Sequence, residues 1–99
     1  MTPSQARMII GEHMRELRSK SGASLRITAR VSGWDKGHLS RVERGHTKPG
    51  PSLVRWYDQA FGAGGLLLQE FLDLNTAVRQ HRYAQLYRPP PAVKDGEAG

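Results

Sequence analysis

Cationic side chains that can donate hydrogen bonds are concentrated near the middle of the chain. Lys36 and Arg41 occur there, and Arg44 and Lys48 follow them. An arginine guanidinium can donate two parallel hydrogen bonds to guanine O6 and N7, and a lysine ammonium can do so with less geometric selectivity. Cations a few residues further along are suited to phosphate oxygens, which carry charge but no base identity. These residue types therefore favour binding to a polyanion over catalysis.

The overall composition is that of a basic, single-domain protein. The chain has 99 residues, with 15 Lys and Arg against 9 Asp and Glu and a formal net charge of +6. This length leaves room for one hydrophobic core, and the charge favours nucleic acid ahead of acidic membrane surfaces as the partner. Residues 21–50 hold six of the Lys and Arg residues and only two of the acids. Most of the excess charge therefore lies in the central segment.

Catalytic and metal-binding chemistry have little support in the sequence. No glycine-rich phosphate loop follows a strand pattern, and nothing places a nucleophile, a base and an oxyanion donor together. The chain has no cysteine, and no two of its histidines have the i, i+4 spacing of a zinc-binding helix. These histidines are His13, His38, His46 and His81. We therefore expect neither enzymatic activity nor a metal or other cofactor.

Membrane association also has weak support. The longest apolar run, residues 66–68, is too short for a membrane span or a secretory signal. We therefore expect a cytoplasmic protein with no membrane partner. A basic helix over residues 66–88 that lies on a membrane surface is a separate hypothesis, which sedimentation with liposomes would test.

Capping signals predict three helices in the first half of the chain. Thr2 and Gln5 have the spacing of a capping box around Pro3, and proline suits the first turn of a helix. Gly33 is suited to a sharp turn because glycine adopts positive φ without steric cost. Asp35 is a suitable N-cap after this turn. The predicted caps are Thr2, Ser24 and Asp35. Counted from these caps, the three predicted helices span residues 2–20, 24–32 and 35–45.

Proline and glycine clusters separate two further predicted helices. Residues 46–51 contain two prolines and a glycine, which deny this loop regular hydrogen bonding, and Ser52 is the predicted cap of a fourth helix. Glycines in residues 62–65 break the chain before a fifth helix, which carries apolar residues up to Val78. The predicted division is a folded domain over residues 1–78, the polar end of the fifth helix over 79–88, and a disordered Pro/Gly-rich tail over 89–99.

The second and third predicted helices form a helix-turn-helix. In this geometry one helix lies against the DNA backbone and the next enters the major groove. On the third helix, Leu39 and Val42 lie three residues apart and face the core, which leaves the opposite arc for the bases. Gly37 has no side chain, so backbone and bases can approach closely there. His38 is suited to hydrogen-bond a phosphate or a base edge, and a solvated helix face is an equal alternative for it. The predicted base-contacting residues are Lys36, Gly37, His38 and Arg41.

A second set of residues is suited to phosphate contacts, which fix the position of the protein on DNA. Some of them follow the third helix. Others lie at the start of the second helix, where the first amides have no helical acceptor and are suited to bind an anion. The predicted phosphate-contacting residues are Ser24, Leu25, Arg26, Ser40, Arg44, Thr47 and Lys48.

Four segments of the chain resemble one known family. They are GASLR at residues 22–26, GW at 33–34, HLSRVERG at 38–45 and PSLV at 51–54. These segments, within about residues 8–62, are similar to Xre/Cro-type, lambda-repressor-like helix-turn-helix transcriptional regulators. The resemblance implies an all-α, five-helix DNA-binding domain whose helix-turn-helix is formed by helices 2 and 3. It also implies a homodimer that binds double-stranded DNA at near-palindromic operators.

The resemblance implies roles for individual residues as well. Base contacts are expected from the front of helix 3, at Lys36, Gly37 and Arg41. In this family a helix 1 arginine often pairs with a glutamate near the end of helix 3. This implies a structural pair between Arg18 and Glu43, outside the DNA site.

Two positions depart from the family pattern. Leu25 stands where a glutamine is common, which weakens the expectation of a phosphate contact from that side chain. Thr28 stands where a core leucine is common. We expect core packing to shift to Ile27 and Val31.

Several interpretations of the remaining residues stay open. Trp34, Trp56, Tyr57 and Phe61 have apolar helical neighbours, which favours core packing over base stacking. The segment from Arg79 to Arg82, with Tyr83, Tyr87 and Arg88, is consistent with a second DNA contact, a dimer contact or a solvated helix end.

The predicted function is a sequence-specific, repressor-like transcriptional regulator. We expect it to act as a homodimer through the apolar stripe of the fifth helix, from Leu66 to Val78. The alternative is an adaptor, antitoxin-like or sigma-factor-binding, that uses the same fold to bind a protein partner through that helix.

Overall fold

The computed structural model describes the backbone of residues 1–86 and the side chains of residues 1–82. This part of the chain contains five α-helices and no strand, which confirms the all-α, five-helix, lambda-repressor-like fold. The helices are α1 (Pro3–Lys20), α2 (Leu25–Ser32), α3 (Lys36–Glu43), α4 (Pro51–Ala60) and α5 (Leu66–Leu86). Helix α5 runs without interruption past residue 78 into the segment predicted as its polar end, residues 79–88. The predicted tail over residues 89–99 lies outside the described residues.

The first three helices begin at the predicted caps. In α1 the Gln5 amide donates to Thr2 Oγ1 at 3.1 Å, and the Thr2 amide donates to Gln5 Oε1 at 2.9 Å, which confirms the capping box. Ser24 Oγ accepts from the amide three residues later at 3.1 Å, and Asp35 Oδ2 does the same at 3.0 Å. These bonds satisfy amides that have no helical acceptor. The starts of these helices are therefore set by local sequence.

The turns on either side of α3 and α4 follow the prediction only in part. Gly33 adopts φ 85° between α2 and α3, as expected for a glycine turn. Helix α4 begins at Pro51, with Gly50 as its N-cap and no side-chain cap, so the predicted cap at Ser52 is wrong. Proline lacks an N–H and its φ already matches a helix, which makes the first helical position favourable for it.

Two glycines allow α1 to lie directly against α3. A Cβ on Gly11 would overlap the Val42 carbonyl oxygen and lie 3.0 Å from the Glu43 carbonyl oxygen. Gly45 adopts φ 79°, and a Cβ there would lie 2.9 Å from Met8 Cα. This φ cannot continue a helix, and α3 ends at Glu43, before the predicted end at Gly45. The backbones of α1 and α3 are therefore in direct contact at these glycines.

Aromatic side chains form the interior of the α4 region. Tyr57 is fully buried. Trp56 and Phe61 pack edge to face with ring centroids 5.8 Å apart, and Trp34 lies 6.4 Å from Trp56 in a similar arrangement. The last three rings are partly buried against the core. The predicted core role of these four residues is confirmed.

Helix α2 packs through Thr28. This residue is 2% exposed, and its Oγ1 donates to the Ser24 carbonyl at 2.8 Å. Ile27 and Val31 are 45% and 70% exposed, so the prediction that core packing shifts to them is wrong. Thr28 is buried at the position where the family has its leucine. The Ser24 carbonyl accepts the hydrogen bond of the threonine hydroxyl, so the methyl group can be buried without leaving a polar group unsatisfied.

A side chain of α4 caps the start of α5. The Asp58 carboxylate is buried, and it accepts from the Gly65 amide at 2.8 Å and from the Leu67 and Leu68 amides at 2.9 and 3.1 Å. A carboxylate at this place satisfies first-turn amides and complements the positive end of the helix dipole. No local sequence signal indicates this cap, because the capping group lies on the preceding helix.

Most of the apolar face of α5 packs inside the molecule. Leu67, Phe71 and Leu74 are buried in the core with residues of α1 and α4. Leu66 and Leu72 remain 76% and 47% exposed. The predicted stripe therefore cannot serve as one continuous dimer interface, because its buried members already have partners in the same chain.

Candidate nucleic-acid interface

The outer face of α3 carries the predicted base-contacting side chains. Its inner face consists of Leu39 and Val42, which are fully buried, and Glu43, which is 6% exposed. Lys36 and Arg41 are exposed. Three further members of the predicted sites on this helix are half-buried: Gly37, His38 and Ser40. The helix thus separates an apolar inner side from a cationic outer side, as its periodicity predicts.

Gly37 and Arg41 lie one helical turn apart and share the same space. A Cβ on Gly37 would lie 3.3 Å from Arg41 Nη1 and 3.0 Å from Asp35 Oδ2. The Arg41 guanidinium therefore extends back over the first turn of α3, where Gly37 leaves a gap. In addition to permitting close approach of the backbone, the glycine gives the arginine room.

The start of α2 offers amides to an anion. Ser24 and Arg26 are exposed and Leu25 is half-buried. Ser24 Oγ already accepts from the Ile27 amide at 3.1 Å, so its oxygen acts as a helix cap. The amides of Leu25 and Arg26 lie in the first turn, where no helical carbonyl precedes them. The predicted phosphate contact here depends on these amides and on the positive end of the helix.

The side chains that follow α3 extend in different directions. Arg44 is exposed, and its Nε donates to the Ser40 carbonyl of its own helix at 3.2 Å. Thr47 is half-buried. Lys48 Nζ lies 6.0 Å from the centre of the Phe71 ring on α5. Arg44 is therefore placed beside the outer face of α3, whereas Lys48 lies at the junction with α5.

A buried ion pair holds the inner side of α3. Arg18 Nε and Nη2 donate to the two carboxylate oxygens of Glu43, each at 2.8 Å, and Tyr57 OH donates to Glu43 Oε2 at 2.7 Å. Arg18 Nη1 also donates to the Ala23 carbonyl at 2.8 Å. These bonds join α3 to α1 and α4. The structure places Arg18 and Glu43 together on the inner side of α3, opposite the exposed side chains of Lys36 and Arg41.

Burial and hydrogen bonding change two pKa values in this cluster. The hydrogen bond to Glu43 raises the pKa of Arg18 above its ordinary value, against the opposing effect of burial. Burial, and then the hydrogen bond to Glu43, raises the pKa of Tyr57 well above its ordinary value. Arg18 therefore stays charged, and Tyr57 keeps the proton that it donates to Glu43.

Among the side chains of residues 1–82, no group of three His, Cys, Asp or Glu is placed to hold a metal ion. None of the helices described is long and apolar enough to cross a bilayer.

Comparison with known proteins identifies the domain. A family model described as a helix-turn-helix domain matches residues 9–71. This range contains α2, the Gly33 turn and α3 in full, together with most of α1 and the start of α5. No curated protein and no solved structure matches the chain. Since the match covers more than half of the chain and its helices α2 and α3 have the corresponding geometry, this protein belongs to the helix-turn-helix domain family of DNA-binding proteins.

Proposed function

We propose that this protein is a sequence-specific transcriptional regulator of the Xre/Cro type, repressor-like, which inserts α3 into the major groove of double-stranded DNA. The observation that supports this most directly is the exposure of Lys36 and Arg41 on a helix whose inner side is held by the Glu43 cluster. A firmly held helix presents its donors to the bases in one arrangement, at little entropic cost on binding. This role needs no catalytic centre, and it requires that the protein share the bacterial cytoplasm with the chromosome.

The residues divide by their positions on the proposed interface. Lys36, Gly37, His38 and Arg41 lie on or beside the outer face of α3, and we assign them to the bases. The residues that we assign to phosphates lie at the start of α2, on α3 and after it: Ser24, Leu25, Arg26, Ser40, Arg44, Thr47 and Lys48. Base contacts supply sequence preference, and phosphate contacts fix register and affinity.

We further propose that two copies bind one near-palindromic operator. An α3 of 8 residues reads only a few base pairs, and two-fold dimers extend the site by placing two such helices about one DNA turn apart. On α5 the exposed residues Leu66 and Leu72 are separated by six positions, which places them about 120° apart around the helix. This is a small apolar surface for a stable dimer, so we expect the two copies to associate on the DNA.

Selection from a pool of randomised duplexes, followed by footprinting, tests the proposal. We expect enrichment of a two-fold sequence with half-sites about 10 base pairs apart. Binding should also weaken with salt, because phosphate contacts release counterions. A selection that shows no enrichment above salt-sensitive background would exclude sequence-specific regulation. An enriched site with no repeat would exclude the two-fold arrangement.

A further inference from the structure

A groove between the start of α1 and the second half of α5 contains three arginines outside the proposed base and phosphate contacts. It has a volume of about 300 Å³. Its floor is apolar and includes Ala6, Ile10, Phe71, Leu74 and Val78. Its rim carries four cationic side chains: Arg7, Lys48, Arg79 and Arg82. We refer to these four residues as the cationic rim.

The charge of this groove has one sign. None of the residues that line it, among the described side chains, is Asp or Glu. The opposite end of the α1–α5 contact differs: His13 Nδ1 lies 2.7 Å from Glu70 Oε1, and Glu16 and Lys20 lie close by. Acidic groups are therefore present along the same pair of helices, but they are separated from the cationic rim.

The cationic rim is continuous with the end of α3. Arg7 Nε donates to the Gly45 carbonyl at 3.4 Å, directly after α3. Lys48 belongs to the loop that follows, and its Nζ lies 6.0 Å from the centre of the Phe71 ring on α5. Arg79 and Arg82 continue the line along α5. The loop that leaves the C-terminal end of α3 therefore leads directly to the cationic rim.

Other occupants of the groove fit less well. The floor offers little free apolar surface, since Ile10 and Phe71 are only 2% and 3% exposed. A second copy of the chain that packed the same groove against itself across a two-fold axis would bring four cations opposite four cations. A polyanion fits the charge and needs little apolar contact.

We infer that the cationic rim binds backbone phosphates of DNA beside the base pairs read by α3, on the side where α3 ends. The inference rests on the proposed function and assigns the Arg79–Arg82 segment to a second DNA contact. Such contacts carry no base preference. Their signature is the salt dependence of binding, because each neutralised phosphate contributes about 0.9 to the slope of log K against log salt.

The test is the double variant Arg79→Gln with Arg82→Gln, titrated with duplex DNA over a range of salt concentrations. We expect the slope to decrease by about 1.8 and the affinity at about 0.1 M salt to fall at least tenfold, because two phosphate contacts are lost. The selected sequence should not change. The double variant Arg15→Gln with Arg55→Gln is the matched control, since both residues are exposed, neither lines the groove, and the same charge is removed.

One further variant and one shortened duplex complete the experiment. Arg79→Lys with Arg82→Lys keeps both charges and should restore the slope. When the flanking base pairs on the α3 exit side are removed, the wild-type protein and the glutamine variant should bind equally. Circular dichroism confirms that each variant is folded.

The outcomes separate this inference from the proposed function. A glutamine variant whose slope equals that of the control overturns the inference. So does a variant that keeps its DNA slope but loses binding to anionic phospholipid vesicles, since the rim would then serve a membrane surface. The slope can be measured on any duplex, so a wild-type protein that selects no sequence refutes sequence-specific regulation alone. A wild-type protein that binds no duplex overturns both.

Discussion

Neighbouring side chains on α3 have different roles because one is exposed to solvent and another is buried. Arg41 is exposed, and Gly37 gives its guanidinium room over the first turn. Glu43 is buried and shared between Arg18 and Tyr57. A buried ion pair is stable only when its hydrogen bonds are complete, and here the pair has an additional donor. The same short helix therefore supplies Arg41, which is accessible for the proposed DNA contact, and Glu43, which stabilises the fold.

Arg41→Ala removes the proposed bidentate contact with guanine. We expect a loss of about 1–3 kcal/mol in discrimination between the selected site and a site changed at that base pair. The free energy of unfolding should change by less than about 0.5 kcal/mol, because the side chain is exposed. Fluorescence anisotropy on both duplexes measures the effect. Arg15→Ala is the control and should preserve discrimination, and wild-type discrimination in Arg41→Ala would contradict the assignment.

Tyr57 makes stability depend on alkaline pH. The folded state raises the pKa of Tyr57 well above its ordinary value of about 10, first through burial and then through Glu43. Its contribution to stability is therefore complete below pH 10. Above pH 10 the unfolded chain releases the tyrosine proton and the folded chain retains it, so stability falls by up to about 1.4 kcal/mol per pH unit.

Urea unfolding between about pH 9 and pH 11.5 tests this effect. The Tyr57→Phe variant should be less stable at pH 8, because Glu43 loses a donor. Its stability should then fall less steeply than that of the wild-type protein as pH rises. Equal alkaline slopes in the two proteins would show that Tyr57 titrates normally in the folded state.

The helices are positioned by contacts of two kinds, close backbone approach and capping between helices. Gly11 lets α1 touch α3, and Asp58 on α4 caps α5. Each contact positions a whole helix. If the contact were displaced, all the side chains of that helix would move with it. The orientation of the outer face of α3 therefore depends on α1.

Gly11→Ala and Gly37→Ala form a matched pair on two helices. An added methyl usually stabilises a helical glycine position by about 0.5–1 kcal/mol. At Gly11 it would overlap the Val42 carbonyl, and we expect destabilisation of about 1–3 kcal/mol. At Gly37 it would meet only the ends of the Arg41 and Asp35 side chains, which can move.

Thermal unfolding and DNA titration separate the two variants. Gly37→Ala should keep or slightly raise stability while weakening DNA binding, because the Arg41 guanidinium is displaced. Gly11→Ala should lower stability. If Gly11→Ala were as stable as the wild-type protein, the close packing of α1 on α3 would not exist in solution.

At the scale of the whole molecule, the five helices share one core and one asymmetric charge distribution. Core residues come from α1, α3, α4 and α5, and α2 adds the buried Thr28. Cations lie on the outer face of α3 and along the cationic rim, and others such as Arg15 and Arg55 are exposed elsewhere. The buried Glu43 is paired with Arg18, and Asp58 caps α5. The groove bordered by the cationic rim therefore carries charge of one sign, because none of the described residues that line it is acidic.

One shared core predicts one unfolding transition. Tryptophan fluorescence reports on Trp34 and Trp56, near α3 and α4, and far-ultraviolet circular dichroism reports chiefly on the longest helices, α1 and α5. We expect both signals to give the same midpoint in urea. A lower midpoint by circular dichroism would show that α5 unfolds separately from the domain.

Part of this molecule was predictable because the relevant interactions are local. Capping bonds reach three residues, and helix periodicity reaches four. The starts of α1, α2 and α3 and the inner and outer faces of α3 follow from these rules. The assignment of individual side chains to bases and phosphates is still a prediction, because it depends on DNA contacts.

The sequence by itself determines the type and spacing of the central cations, and local helix rules place Arg41 on an outer helix face. These cations are Lys36, Arg41, Arg44 and Lys48. Tertiary structure alone decided that Lys48 joins Arg7 and Arg79 around one groove, because these residues are far apart in sequence and meet only where α5 packs on α1. It also decided that Thr28 fills the core position, since burial depends on which face meets α3. Local signals act within one helical turn, whereas these arrangements depend on packing between helices.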